Sequence, residues 1–546
     1  VTDLILGPVL RHVGERDATV WVETSGPTTV EVLGHREPTW TVSGHHYALV
    51  HVTDLPPAST TTYDVRLDDT LVWPLPDDRR PAPTIRTLDP DRALRLIFGS
   101  CRFATPTALG PASPEPDALD AYARRMMAQP TTEWPDALLL LGDQVYADET
   151  SPAVAERIRE HRDVDEPPGQ EVRDFEEYTW LYHESWSDPE VRWILSTVPS
   201  SMIFDDHDVR DDWNTSAAWR RDMQATSWWQ ERIIGGLGSY WVYQHLGNLS
   251  PRDLETDELY QRVRQHDGDA KDLVRAFAVA ADAEADGGKG ARWSYRRDLG
   301  RTRLLVIDSR CGRILEQSPR SMISEAEFGW ISEQVSGDYD HLLVGTSLPW
   351  LLPRALHDLE SWNERLASGV RGRLVARWAE WLRRRADLEH WAAFRASFDA
   401  LADLLASVGR GERAGTSGTA PATICVLSGD VHHAYVAKAE LGGTVQSKIY
   451  QLTCSPLHNH VPPAMQFVFR VTWNRATERA VRAILDALAK VPPIGLEWEP
   501  LKGPYFGNQI GTLQLRGRHA EVSLEQAGIE DDVPSLTGKQ AQLTLS

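Results

Sequence analysis

Between Asp136 and Glu149 the chain reads DALLLLGDQVYADE, four consecutive leucines followed by a glycine and a carboxylate. An apolar run of that length, Ala137–Leu141, closed by Gly142, reads as a strand buried on both faces, and such strands belong to parallel sheets. The C-terminal ends of parallel strands are where α/β folds place their ligands. Gly142 lets the backbone turn, and Asp143 and Tyr146 then project from the loop beyond it. A carboxylate there can bridge two hard cations, and a phenolate three residues on can reach one of them. The same residues also fit a capped turn in which Asp143 accepts backbone N–H groups, so the choice rests on the rest of the chain.

At 546 residues the chain exceeds one ordinary domain. Its 57 basic against 79 acidic residues give a net charge of −22. Such a chain repels nucleic-acid backbones and anionic membranes, so no nucleic-acid surface is expected. A phosphate ester substrate would then need bound cations to supply positive field. No apolar run is long enough for a transmembrane segment. Cys101, Cys311, Cys425 and Cys454 show no CxxC spacing and form neither a disulfide framework nor a zinc finger. The sequence opens in the strand-like LILGPVLRHV with no basic and apolar leader before it, which favours a cytoplasmic location, or secretion if a leader has been removed.

Residues 1–90 alternate apolar and polar positions in short runs (ATVWVET, TTVEVLG, YALVHVTDL) separated by turn formers, the pattern of a β-sandwich. VHVTDLPPASTTTYDVRL has the form of a fibronectin type III strand–turn–strand, with Leu55 and Tyr63 as core anchors. The proline-rich WPLPDDRRPAP leads to the second part, residues 91–546. There LRLIFGSCRF reads as a strand ending at Gly99, followed by a loop, the helical PDALDAYARRMMAQ and the leucine strand, a strand–helix–strand unit of a parallel sheet. Both tips fall on one edge, so Cys101 and Asp143 are expected to be neighbours. A third tip, SMIFDDHDVRDDWN, crowds Asp205, Asp206, His207 and Asp208, which need partners if buried; Arg210 is one, and a metal site is another. Helical insertions are expected near 150–200, 215–290 and 358–409, with a loop at DGGKGARW. LLVID ends in Asp308 and Arg310, read as a supporting ion pair, and HLLVGTSLPW ends in Thr346 and Ser347. ATICVLSGDVHHAY repeats the Gly-Asp ending. If extended, it puts Asp430 and His432 on one side and a structural His433 on the other. Residues 471–501 are expected to be helical and then proline-containing, at the mouth of the site.

Five strand tips thus deliver candidate ligands, and a shared edge implies a polynuclear metal site. GSCRF, GDQVYADE, FDDHDVRDDWN and GDVHHAY, in that order over roughly residues 90–460, resemble the motif series of PhoD-like alkaline phosphatases, a branch of the calcineurin-like metallophosphoesterases. The resemblance implies an α/β fold, the four-layer α+β metallophosphoesterase sandwich, behind an all-β fibronectin- or immunoglobulin-like domain. It implies that Cys101, Asp143, Tyr146 and His432 bind Fe(3+) and that Asp143 bridges to a Ca(2+) site completed by Asp206 and Asp430. The GDxxY spacing is also similar to that of purple acid phosphatases. His207 matches the proton donor to the leaving group, Arg102 is placed to clamp a phosphate oxygen, and Asp208 and His433 stand behind the ligands. The implied reaction is hydrolysis of phosphate esters by a metal-activated hydroxide. The alternatives are a phospholipase D-like phosphodiesterase and a non-catalytic binding protein with a decayed site.

Overall fold

The computed structural model describes residues 2–104, 116–288, 290–316 and 319–546. Most of the loop expected after Phe103, and Lys289 in the loop at DGGKGARW, lie outside the described residues. The mixed α/β architecture and the N-terminal all-β region are both present. In that region one sheet pairs Leu4–Val13, Ala18–Thr24, His45–Val52 and Trp40–Val42, and a second pairs His35–Pro38, Thr29–Val32, Val65–Leu67 and Thr70–Trp73. Val20, Val50, Leu55 and Tyr63 fill the space between them. Every residue of Ala18–Thr24 is buried, because the outer face of its sheet is covered too. Trp21 packs against Trp186 and Tyr243, with ring centroids 6.2 and 5.2 Å apart, so the sandwich shares a core with the helices that follow.

The sequence reading placed the chemistry-bearing strands at the rim of a single sheet. They divide between two. In the six-stranded sheet, Ser200–Ile203, Ala137–Leu141 and Leu94–Gly99 run parallel, and the C-terminal strands Gln509–Arg516, His519–Glu530 and Val533–Thr544 extend it antiparallel. In the seven-stranded sheet, Thr302–Ile307, His341–Thr346, Thr423–Ser428 and Lys448–Thr453 are parallel neighbours. The sheets meet face to face, with Gly345 of one against Leu139 and Leu141 of the other. Leucine-only strands follow from that arrangement, since both faces are buried.

Two glycines set how closely the tips approach. Gly142 has φ +104°, and a Cβ there would lie 2.5 Å from the Cβ of Asp205. A Cβ on Gly429 would lie 2.0 Å from Ser100 Oγ and 3.1 Å from the Leu141 carbonyl. The glycine of each Gly-Asp pair is therefore required where one loop crosses another. The helices of the insertions include Phe175–Trp186, Trp229–Tyr240, Arg354–Ala367 and Arg395–Gly409. Their aromatic residues, among them Trp229, Tyr240 and Trp241, are buried and pack between helices. The helix expected after residue 471 is Arg475–Leu488, followed by Pro492 and Pro493; a second helix, Pro463–Thr472, precedes it, and residues 496–505 form a strand.

Candidate metal centre

The loops after four strands meet where the two sheets meet. Cys101 N–H donates to the Gly142 carbonyl and Arg102 N–H to that of Asp143. The Asp430 N–H donates to Ser100 Oγ at 3.1 Å, tying the second sheet to the first. Asp208 accepts the backbone N–H groups of both Asp143 (2.9 Å) and Asp205 (2.8 Å), so one carboxylate fixes two of the loops.

Cys101, Asp143, Asp430 and His432 all have positive φ, between +49° and +66°. Non-glycine residues adopt that conformation at a cost and persist in it where the surroundings over-determine them, often at functional sites. Asp430 and His432 therefore do not share a side through strand alternation. The N–H groups of Val431 and His432 donate to the carbonyls two residues back, of Gly429 and Asp430, so the segment is tightly turned, not extended, and alternation of sides does not apply.

The carboxylates of Asp143, Asp205, Asp206 and Asp430 each offer an oxygen within 4.8 Å of the others. Asp143 Oδ1, Asp205 Oδ2 and Asp206 Oδ1 are buried without a hydrogen-bond partner. Four crowded carboxylates, three of them with an oxygen lacking a hydrogen bond, are what a hard cation satisfies, so the donor set fits a metal. Burial, the Cys101 sulfur and the neighbouring Asp205 push the Asp143 carboxyl well above the ordinary range, and Asp205 is raised likewise, by burial foremost. Asp430 differs. Burial opposes its charge, but the hydrogen bond and charge of His390, with Arg310 and His432, together outweigh it, and its pKa falls to about 2.

The Cys101 thiol lies 3.2 Å from Asp143 Oδ2 and accepts from the Ser455 hydroxyl at 3.2 Å. Burial pushes it up to about 12. The Tyr146 hydroxyl accepts from Asn459 at 2.8 Å, and its ring lies between Phe103 and His207, with centroids 5.0 and 4.8 Å away. His432 stands outside the carboxylate group but within the field of Asp430 and His207, and burial lowers it to about 4. His433 Nδ1 hydrogen-bonds the Val431 carbonyl and its Nε2 accepts from the Trp473 indole.

His207 Nδ1 sits 2.9 Å from Asp148. Burial opposes its charge, yet Asp148, Asp206 and Asp143 together hold the imidazolium well above its ordinary range. Its Nε2 has no hydrogen-bond partner among the described residues.

Three polar assignments need correction. Arg210 pairs with Glu171, not with the aspartates beside it. Asp308 does not pair with Arg310 through side chains; it accepts the backbone N–H groups of Arg310, Cys311 and Gly312. Arg310 instead reaches the site, where its guanidinium bonds Asp205 and lies 3.3 Å from Asp206 and 2.7 Å from Glu389. Arg102, expected to clamp phosphate, is occupied by Asp117 at 2.7 Å and the Ser185 carbonyl at 2.7 Å; the arginine facing the carboxylates is Arg310. Thr346 and Ser347 hydrogen-bond Trp391 and Ser309 and add no ligand to the carboxylate group.

The sequence reading missed Asp205 as a member of the carboxylate group, Asp148 behind His207, and His390. The first two lay inside motifs already singled out, DDHD and GDQVYADE. His390 had no local signal, because it arrives from a helical insertion and meets Asp430 only in three dimensions.

Residues 116–273 match the family model of the PhoD-like phosphatases, and residues 1–85 match that of a domain of unknown function, DUF7800. The PhoD-like segment contains Asp143, Tyr146, Asp206 and His207, whereas Cys101, Asp430 and His432 lie outside it. No curated protein matches the chain in sequence. Among solved structures, PhoD aligns with a TM-score of 0.55 at 11% identity, covering 99% of this chain and 89% of that one. Purple acid phosphatase PPD1 from yellow lupin (Lupinus luteus) seeds aligns with a TM-score of 0.47 at 10% identity, covering 95% and 71%. Residues 116–273 are thus similar to the PhoD-like phosphatases, and the chain shares its fold with PhoD.

Proposed function

We propose that this chain hydrolyses phosphate esters at a metal centre held by Cys101, Asp143, Tyr146, Asp206, Asp430 and His432, with Asp205 added to the set. The observation that carries the proposal is the group of four carboxylates within 4.8 Å, three of them with orphaned buried oxygens. Arg310 and His390 offset only part of the charge of four crowded carboxylates, and buried charge left uncompensated is costly, so such a group is retained for a cation. The donors are of two kinds. The Cys101 thiol lies 3.2 Å from Asp143, Tyr146 follows three residues on, and Asp205, Asp206 and Asp430 crowd the same carboxylate; soft and hard donors together suit iron(III) beside calcium. Bound there, the cations neutralise phosphate oxygens and lower the pKa of water.

The chain's own residues supply the rest. His207 is kept protonated by Asp148, and its unpartnered Nε2 is the proton donor to the departing alkoxide. Arg310 holds Asp205 and Glu389 and offsets part of the local negative charge before any cation arrives. Tyr146 and Phe103 form an aromatic wall beside His207.

The test is turnover of p-nitrophenyl phosphate and bis-p-nitrophenyl phosphate, with and without chelator, alongside elemental analysis and a visible absorption spectrum. Chelator-sensitive hydrolysis is expected, together with visible colour from thiolate or phenolate on ferric iron. Absence of turnover under every metal supplement would leave a binding protein, and an active, colourless, iron-free enzyme would remove the iron assignment.

A further inference from the structure

The net charge of −22 conceals a local inversion. Residues 371–385 and 463–488 together hold ten arginines against three acidic residues. They form the helices Arg373–Arg385, Pro463–Thr472 and Arg475–Leu488. The first and third pack with Arg354–Ala367 around Trp362, Leu366, Ala379 and Leu485. Arg371, Arg373, Arg377, Arg385 and Arg479 have no acidic partner among the described residues.

Large apolar side chains stand exposed between these arginines. Leu374 is 81% exposed, Phe467 68%, Leu488 63% and Ile484 61%. Ten of the seventeen large apolar residues that are exposed among the described residues fall between 370 and 381 or between 465 and 488, so they are concentrated, not scattered. Leu374, Trp378 and Trp381 follow at i, i+4 and i+7, on one face of their helix. Pro463–Thr472 has no buried residue at all, although Met465, Phe467, Val468 and Val471 lie within it. Beside Arg373–Arg385 opens a cavity of about 880 Å³ whose lining includes Arg320, Arg377, Trp381, Arg383 and Arg395. Glu364 and Glu380, with Asp222, Asp358 and Glu499 from neighbouring segments, pair with Arg320, Arg383, Arg384, Arg482 and Arg475 and neutralise part of this charge. Arg383 is 4% exposed, and both its Nε and Arg395 Nη1 have no partner.

The chemistry of the face selects its occupant. A twofold contact with a second copy would set these arginines against themselves. A nucleic acid would use the arginines but not Leu374, Phe467, Ile484 and Leu488. An anionic lipid surface uses both: guanidinium groups meet phosphates, tryptophans sit at headgroup level, and aliphatic side chains enter the acyl boundary. We propose that the face built by Arg373–Arg385, Pro463–Thr472 and Arg475–Leu488 docks this chain peripherally on an anionic phospholipid bilayer. No helix among the described residues is long and apolar enough to cross a membrane, so the contact is one of surface docking. The expectation that the chain is repelled from anionic membranes follows from its total charge, whereas binding follows the charge of the face presented. The face adjoins the candidate centre, because Phe469 stacks on His433, the residue after His432, with centroids 4.6 Å apart.

The test is flotation of the full chain with vesicles of phosphatidylcholine alone or mixed with phosphatidylglycerol, at low and high salt. The flotation is run in chelator, so the result is independent of metal-dependent hydrolysis of the lipids. The chain is expected to float with the anionic vesicles, less so at high salt, and to stay behind with the neutral ones. Leu374→Glu with Trp381→Glu should lower the anionic partition coefficient at least tenfold, and Arg373→Ala and Arg377→Ala about fivefold each, with unchanged circular dichroism. Equal behaviour with both vesicle types, or unchanged flotation of the variants, would overturn the proposal. So would retention on nucleic acid without flotation, or a dimer lost on Leu374→Glu without flotation.

Discussion

His390 joins Glu360 to Asp430: its Nδ1 lies 2.7 Å from the Glu360 carboxylate and its Nε2 2.9 Å from that of Asp430. Asp430 is one of the four crowded carboxylates, and His390 holds it ionised and in place. His390→Gln removes the charge and one of the two hydrogen bonds. Partners behind metal ligands are worth about 10–100-fold in affinity. Metal titration of the purified variant should show a loss of that size with the circular dichroism unchanged; undiminished affinity would make His390 a packing residue only.

Asp143→Asn tests the centre from the opposite direction. Without a cation, Asp143 repels Asp205 and Asp206 and has an orphaned oxygen. A neutral amide relieves that repulsion, so the metal-free variant should melt no lower than the metal-free parent. The rise in melting temperature on adding metal, present in the parent through binding to the native state, should be lost, together with hydrolysis of p-nitrophenyl phosphate. A variant still stabilised by metal and still active would take Asp143 out of the centre.

Arg310 is fully buried and bonded to Asp205 and Glu389. Removing one partner of a buried ion pair leaves uncompensated charge and costs about 3–5 kcal/mol. Arg310→Leu should lower the urea midpoint by a corresponding amount. Arg310→Lys restores the charge but not the planar fork, so it should recover only part of the loss. Full recovery by lysine would show that charge alone matters here.

At the seam between the sandwich and the helices, His45 lies between Glu23 at 3.0 Å and Glu176 at 2.7 Å. Burial disfavours its charge, but the two carboxylates win and raise it from 6.5 to about 9. A raised histidine contributes stability that is fully present below its unfolded pKa and is lost as pH rises through the folded one. The window is therefore pH 6.5 to about 9. The difference in melting temperature between the parent and His45→Gln should be largest near pH 6 and shrink as pH approaches 9. A difference that stays constant across that range would assign the effect to packing.

Periodicity and spacing were sufficient to read the all-β start of the chain, the leucine strand, and Gly142 and Asp143 at its tip. A strand buried on both faces has to be apolar throughout, and a loop that passes so near another that an added Cβ would collide with it has to carry glycine, so both constraints act on neighbouring residues and leave a local trace. The division of the strands between two sheets left none, because an apolar strand reads the same in either. The partners of the charged groups left none either. Arg310 reaches Asp205 across 105 positions and His390 reaches Asp430 across 40, while Arg210, next in sequence to the aspartates, turns to Glu171. Which carboxylate keeps its charge, and which arginine lies beside it, is set by burial and Coulomb interaction between distant segments. Those interactions exist only once the two sheets have closed on each other.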